Sequence, residues 1–252
     1  MGVAIISGAS SGLGRAYARE INKNYPEIDE FWLIARRADR VKALASELKG
    51  KRVETLPLDL ADPHSYDRYG ALLKARKPAV RLLINCAGFG KLKYFEGTDS
   101  AVQRDMINVN CAALTVITQL TSPYMQNGGA VINISSIAAF APTPRMSVYG
   151  ATKSYVMSFS KALRAEWKPR RVNVMAVCPG PMETEFLDVA GITGRSKMFA
   201  WLPRVNADRV AALSLPRAFQ GKAVYTGHPL YRVYRLLAKL LPDNLLMRLT
   251  RL

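Results

Sequence analysis

Short apolar runs alternate along the chain with longer stretches in which apolar residues recur every three or four positions. Val3-Ala4-Ile5-Ile6-Ser7, Phe31-Trp32-Leu33-Ile34-Ala35, Val53 to Leu58, Val80-Arg81-Leu82-Leu83-Ile84, Ala130 to Ser136 and Val172 to Cys178 have the near-continuous hydrophobicity of strands buried on both faces of a parallel sheet, and Ala223-Val224-Tyr225-Thr226 makes a seventh. Between them, helical spacing predicts helices over Arg15 to Asn24, about 39 to 48, 63 to 76 and 99 to 126, a helix that holds Tyr149 and Lys153 and runs to about Trp167, and Asn206 to Phe219, bent or shortened by Pro216. Strand and helix in alternation predict an α/β fold. Glycines at 191 and 194 with bulky Met182, Phe186, Leu187, Met198, Phe199 and Trp201 mark residues 183–205 as either a mobile lid over an apolar substrate or a packed surface insertion. Past Gly227, Leu230, Val233, Tyr234, Leu237 and Leu241 line one helical face and Arg232, Arg235 and Lys239 another; Pro242-Asp243-Asn244 interrupts, and Leu245 to Leu252 adds Arg248 and Arg251. The expected organisation is one domain over residues 1–227 and a basic amphipathic tail over 228–252. That tail either lies on an anionic membrane or docks its apolar face on protein.

With 252 residues, 49% hydrophobic and 22% charged, the chain has the length and composition of a single globular core. No apolar run approaches the ~20 residues of a membrane-spanning helix. Met1 leads directly into the first strand and a glycine turn, which leaves no room for an export signal, and Ile6 stands where a myristoylation motif wants Ser or Thr. Cys86, Cys111 and Cys178 are scattered in apolar contexts, as expected of buried thiols in a reducing, cytoplasmic setting. His64 and His228 are the only histidines, so no metal site or histidine triad is expected. The net charge of +17 admits nucleic acid, an anionic membrane or a polyanionic small molecule. Its basic residues are dispersed and no nucleic-acid motif occurs, so nucleic acid is not expected as a partner.

The candidate chemistry lies where strands end. Gly8, Gly12 and Gly14 punctuate a strand–turn–helix, so backbone can approach a pyrophosphate held at a helix N-terminus, with Ser10, Ser11 and Leu13 in the same turn. The second strand ends in Arg36-Arg37, where a free ribose is usually met by an acid; two guanidinium groups suit a 2′-phosphate instead, so NADP(H) is expected over NAD(H). Asp59-Leu60 follows the third strand, where Asp59 either bonds adenine or caps a helix, although Asp62-Pro63 is the better capping signal. Asn85-Cys86-Ala87-Gly88 follows the fourth with small residues that let a cofactor lie close to the backbone. Asn108 and Asn110 sit within the long helix, and Ser136 ends the fifth strand. Tyr149 and Lys153, four apart on one helix, place a phenol beside an ammonium, a spacing that on its own fits a solvated surface pair as well as a catalytic one. A tyrosine titrates near ~10, and a fixed positive charge favours its phenolate, which makes proton exchange accessible at neutral pH.

With Gly8-x-x-x-Gly12-x-Gly14, Asn85-Cys86-Ala87-Gly88, Asn110, Ser136, Tyr149-x-x-x-Lys153 and Pro179-Gly180 in this order and spacing, the chain resembles the classical short-chain dehydrogenase/reductases over about residues 3 to 227. The resemblance implies a single doubly wound Rossmann-type parallel sheet of seven strands, order 3-2-1-4-5-6-7, and hydride transfer between a nicotinamide and a carbonyl or alcohol. It implies Tyr149 as general acid in reduction and general base in oxidation, and Lys153 as the group that lowers its pKa and bonds the nicotinamide ribose. Ser136, rather than Ser135, would hold the substrate oxygen. Asn110, rather than Asn108, would order a proton-relay water, and Thr184 would grip the nicotinamide amide. Ser7 in place of threonine and Cys86 in place of a second asparagine are departures that remove no catalytic group. The expected function is an NADP(H)-dependent carbonyl reductase or alcohol dehydrogenase acting on a steroid, bile acid or long-chain ketone. The alternatives are a 3-oxoacyl reductase acting on a carrier-protein or coenzyme A thioester and a cofactor-binding sensor or scaffold without turnover. The resemblance also implies a homodimer or homotetramer; any membrane association would run through the basic amphipathic tail at residues 229–252.

Overall fold

Val3, Ala4, Ile5 and Ile6 are almost wholly excluded from solvent in β1 (Gly2–Ser7), because this strand sits in the middle of the sheet and is covered on both faces. The computed structural model describes residues 2–192 and 202–249. Seven parallel strands run β3-β2-β1-β4-β5-β6-β7, with β2 at Ile28–Ile34, β3 at Arg52–Leu56, β4 at Val80–Asn85, β5 at Met125–Ile134, β6 at Asn173–Val177 and β7 at Val224–Tyr225. The doubly wound sheet is therefore as expected. β1 lies between β2 and β4, so the order reverses there and opens a crevice at the strands' carboxyl ends.

Strand alternation divides the core in two. On one face Ala4, Ile6, Phe31, Leu33, Leu82 and Ile132 pack against α1 (Gly12–Asn24), α2 (Ala38–Glu47) and α8 (Ala207–Phe219). On the other, Val3, Ile5, Trp32, Leu83, Val131 and Val174 pack against α3 (His64–Arg76), α5 (Leu114–Thr121) and α6 (Ser147–Glu166). Asp62 caps the start of α3, its Oδ1 accepting from the His64 N–H at 3.0 Å. α8 runs through Pro216 to Phe219, so the proline does not shorten it.

The expected helix over 99–126 is three pieces. α4 (Ser100–Ile107) passes into a π-helical turn, Asn108–Ala113, and then into α5. Pro123, which lacks a donor N–H, ends the helical run in a single turn at Ser122–Tyr124. β5 then begins at Met125, five residues before Ala130, and its register against β4 shifts where Gly128 takes φ +74°.

The chain closes with α9 (Pro229–Leu240) and α10 (Asp243–Leu249). α9 packs on the body: Tyr231 is buried and its hydroxyl donates to the Pro203 carbonyl at 2.6 Å. Among the described residues no helix is long and apolar enough to cross a membrane.

Candidate active site

The glycine turn is built for close approach. At Gly8, with φ +70°, a Cβ would stand 2.7 Å from the Ala87 nitrogen, and at Gly14 it would stand 2.3 Å from the Gly8 carbonyl oxygen. Gly14 thus lets α1 start against the turn without itself facing the cleft. Ser7 Oγ accepts the N–H groups of Cys86 and Ala87 at 3.2 and 3.3 Å, which locks the loop after β4 to the end of β1. Serine supplies the oxygen that this bond needs as well as threonine would.

Gly8, Gly12, Leu13, Ala87 and Gly88 line one side of a cleft of about 690 Å³. At its far end Arg37 donates to the hydroxyls of both Ser10 and Ser11 at 3.1 Å. Ser11 therefore orients a guanidinium instead of capping α1 with its side chain. Arg36 is more exposed and lies 3.9 Å from Asp59, whose Oδ1 accepts the Ala61 N–H at 3.0 Å; Asp59 and Leu60 line the same end. These groups form a cradle into which a pyrophosphate and a ribose phosphate fit: small residues where backbone must approach, and N–H and guanidinium donors where charge must be held.

Asn85 is placed differently from expectation. Its side chain is buried on the other side of the strand, donating to Thr118 Oγ1 at 2.9 Å and Asn133 Oδ1 at 2.8 Å, and it does not line the cleft. Asn85 is the last residue of β4 and still projects into the core beside Leu83, whereas Ala87 and Gly88 lie past the strand's end, at the cleft.

At the reacting end, β5 delivers Ser135 and Ser136 in succession, and the structure separates them. Ser135 Oγ donates to the Lys153 carbonyl at 2.7 Å and is thereby consumed in holding α6. Ser136 Oγ accepts the Ala138 N–H at 3.1 Å and hydrogen-bonds the Tyr149 phenol. Lys153 Nζ donates to the Ile134 carbonyl at 2.8 Å and lies 5.7 Å from the centre of the Tyr149 ring. Burial pushes the Lys153 ammonium down to about 8. Burial also pushes the Tyr149 phenol up to about 12, against the opposing pull of the Ser136 hydrogen bond. With Nζ over the ring and one of its donors given to the Ile134 carbonyl, burial is the largest influence on the phenol in the cofactor-free protein.

Asn110 is buried in the π turn. Its Oδ1 accepts the Phe89 N–H at 3.0 Å, while Nδ2 donates to the Phe89 carbonyl at 2.9 Å and to Thr152 Oγ1 at 3.0 Å. A Cβ on Gly88 would meet both Asn110 Oδ1 at 2.9 Å and Lys153 Nζ at 3.3 Å, so the asparagine and the lysine both close on the space that the glycine leaves open.

Two walls complete the cleft. α7 (Glu185–Ala190) follows Thr184, whose side chain faces Gly12, and it packs the Phe186 ring 5.5 Å from that of Tyr149. Leu92 N–H donates to the Ala190 carbonyl at 2.8 Å, tying α7 to the loop after β4. Gly194, Met198, Phe199 and Trp201, expected in this segment, lie outside the described residues. The second wall is α9, whose Leu230, Val233, Tyr234 and Leu237 line the cleft beside Pro179 and Gly180. The sequence shows the apolar stripe of this helix but not its place at the cleft. Nor does it point to Arg40 and Glu185, which meet across the phosphate end, because no local pattern joins residues 145 positions apart.

Residues 2–192 match the family profile described as short chain dehydrogenase. The chain is 32% identical over 186 residues to the very-long-chain 3-oxoacyl-CoA reductase of Homo sapiens, covering 70% of this chain and 58% of that protein. It is 34% identical over 195 residues to the serine 3-dehydrogenase of Agrobacterium fabrum, covering 73% of this chain and 74% of that one. The short-chain dehydrogenase from Sphingobium yanoikuyae, solved in complex with NADPH, superposes with a TM-score of 0.82 at 30% identity, over 99% of this chain and 95% of its own. With the fold, the glycine turn and the Ser136, Tyr149 and Lys153 geometry in place, the chain belongs to the short-chain dehydrogenase family.

Proposed function

We propose that the protein is an NADP(H)-dependent oxidoreductase that interconverts a carbonyl and a secondary alcohol on an apolar substrate of the steroid, bile acid or long-chain ketone type. The observation that carries this reading is the Ser136–Tyr149 hydrogen bond beside buried Lys153, at the floor of a cleft whose walls are apolar. The turn from Gly8 to Gly14 would hold the pyrophosphate, Arg37 with Ser10 and Ser11 the 2′-phosphate, Lys153 the nicotinamide ribose and Thr184 the amide. The cofactor, when bound, supplies or takes up the hydride.

In the reducing direction Tyr149 gives its phenolic proton to the carbonyl oxygen, and in oxidation it takes the alcohol proton. Ala138 N–H donates to Ser136 Oγ and fixes the hydroxyl beside the Tyr149 phenol, where it would turn to bond the substrate oxygen. Asn110 holds the Phe89 backbone and Thr152 in register with Lys153, and so sets the position from which a relay water would be reached. Phe186, Leu230, Val233 and Leu237 present apolar surface to the cleft and favour a large apolar substrate body. The test is NADPH and NADH oxidation side by side over a panel of bulky ketones, with Tyr149→Phe as control. Turnover surviving in Tyr149→Phe would remove the mechanism.

The similarity to a 3-oxoacyl-CoA reductase favours a second reading, in which the substrate is a 3-oxoacyl thioester and the surplus of cationic side chains attracts its acidic carrier. A kcat/KM on coenzyme A or acyl-carrier substrates that falls steeply with added salt, and exceeds that on free ketones, selects it over the first.

A further inference from the structure

Glu185 opens α7, directly after Thr184, and its carboxylate lies between two guanidinium groups of α2 and its N-cap. Arg37 Nη1 donates to Glu185 Oε2 at 2.8 Å, and Arg40 Nη1 pairs with Oε1. Through its other terminal nitrogen the same Arg37 holds the hydroxyls of Ser10 and Ser11. The two arginines hold the Glu185 carboxyl below its usual range. Glu185 is delivered by a pinned helix: Thr184 abuts Gly12 on one side, Phe186 packs on Tyr149 on the other, and Ala190 is bonded to Leu92. The carboxylate is therefore presented to the arginines intramolecularly, at high effective concentration.

We infer that Glu185 is a specificity-determining residue, an internal anion that competes with the cofactor's 2′-phosphate for Arg37 and Arg40. The inference rests on the NADP(H) reading above. A dianionic phosphate with three acceptor oxygens outbids a monoanionic carboxylate for two guanidinium groups, but only after displacing it. A dinucleotide with a free 2′-hydroxyl does not need those donors and leaves the carboxylate in place. Glu185 thus narrows the preference for the phosphorylated cofactor and keeps its release easy. Both ion pairs are about half exposed, with side-chain exposures of 42% for each arginine and 44% for the glutamate, so the effect is moderate.

The experiment is equilibrium titration of NADPH and NADH, followed by cofactor fluorescence, on wild-type protein, Glu185→Gln and Glu185→Asp. Glu185→Gln keeps the side chain's shape and removes its charge; the site is at the surface, so folding is not at risk. NADPH is expected to bind Glu185→Gln roughly fivefold more tightly than wild type, with NADH unchanged. Glu185→Asp, which keeps the charge on a shorter arm, should fall between the two. Unchanged or weaker NADPH binding by Glu185→Gln overturns the inference, and so does equal tightening of both cofactors. Wild-type protein that binds NADPH no better than NADH instead overturns the cofactor reading beneath it, so the two failures are distinguishable.

Discussion

The ring of Tyr231 occupies the space that a side chain at Gly180 would need: a Cβ there would lie 2.2 Å from Cε2 and 2.7 Å from the hydroxyl oxygen. Gly180 follows β6 at the carboxyl edge of the sheet, and Tyr231 belongs to the first turn of α9. Absence of one side chain thus lets the C-terminal helix seat against the cleft, with Tyr231 further bonded to Pro203.

Gly180→Ala should therefore unseat α9. Overpacking of this kind costs about 1–3 kcal/mol, read as a lowered midpoint in thermal or urea unfolding. In a Tyr231→Ala background the same methyl should cost less than about 0.5 kcal/mol, because the atoms that it strikes are gone. Additive effects of the two substitutions would show that the contact does not matter. KM for bulky ketones should rise in Gly180→Ala, since Leu230, Val233 and Leu237 move with the helix.

Ser135 and Ser136 are adjacent but differently engaged, and their alanine variants should separate accordingly. Ser136→Ala removes the phenol's partner and should lower kcat by roughly 100-fold with cofactor affinity retained. Ser135→Ala removes a donor to the Lys153 carbonyl and should cost about 1 kcal/mol of stability while leaving most of kcat. Steady-state kinetics beside unfolding curves decides it; the reverse pattern would assign substrate binding to Ser135.

Much of this arrangement is legible in the residues, and the remainder has physical reasons for being hidden. The β-branched and leucine-rich runs that form β1, β2 and β4 are buried on both faces, which a continuous apolar pattern reports directly. The residues place Ser136 at a strand end, and it is the family resemblance, through its spacing from Tyr149, that pairs the two. Proximity in the chain groups Asn85 with Ala87 and Gly88, whereas strand geometry points its side chain to Thr118 and Asn133 instead. The π turn at Asn108–Ala113 leaves the 3.6-residue period only locally, so a window average passes over it. The apolar stripe of α9 announces that something covers it; that α9 lines the cleft depends on the glycine at 180, far away in the chain.

Lys153 should be a liability to stability. Its folded-state pKa, about 8, lies below its ordinary 10.5, so the unfolded chain binds more protons between these values. The penalty is complete below pH 8 and fades as pH rises toward 10.5. It amounts to about 3 kcal/mol, since a tenfold change in proton affinity is worth ~1.4 kcal/mol. Lys153→Met escapes it but leaves the Ile134 carbonyl unpaired, at a cost of about 1–2 kcal/mol. The variant should be inactive yet about 1–2 kcal/mol more stable than wild type at pH 7, with the advantage gone by pH 10. Urea unfolding at the two pH values checks it, and a difference independent of pH would refute the assignment.

Tyr149 sets the pH dependence of the reaction itself. With burial pushing the phenol up to about 12, its proton is in place throughout the neutral range in the cofactor-free protein, ready for a carbonyl oxygen. Ketone reduction should accordingly be level from pH 6 to about pH 7, then decline through pH 8 as the Lys153 ammonium over the ring loses its proton. Alcohol oxidation needs the phenolate and should rise with pH over the same range, by up to about tenfold per pH unit while a single deprotonation limits it. Both profiles should vanish in Tyr149→Phe, with kcat down by at least ~1000-fold and NADPH binding intact. The two directions measured in one set of buffers supply the check: a reduction rate that climbs between pH 6 and pH 8 would mean that the neutral phenol is not the proton donor.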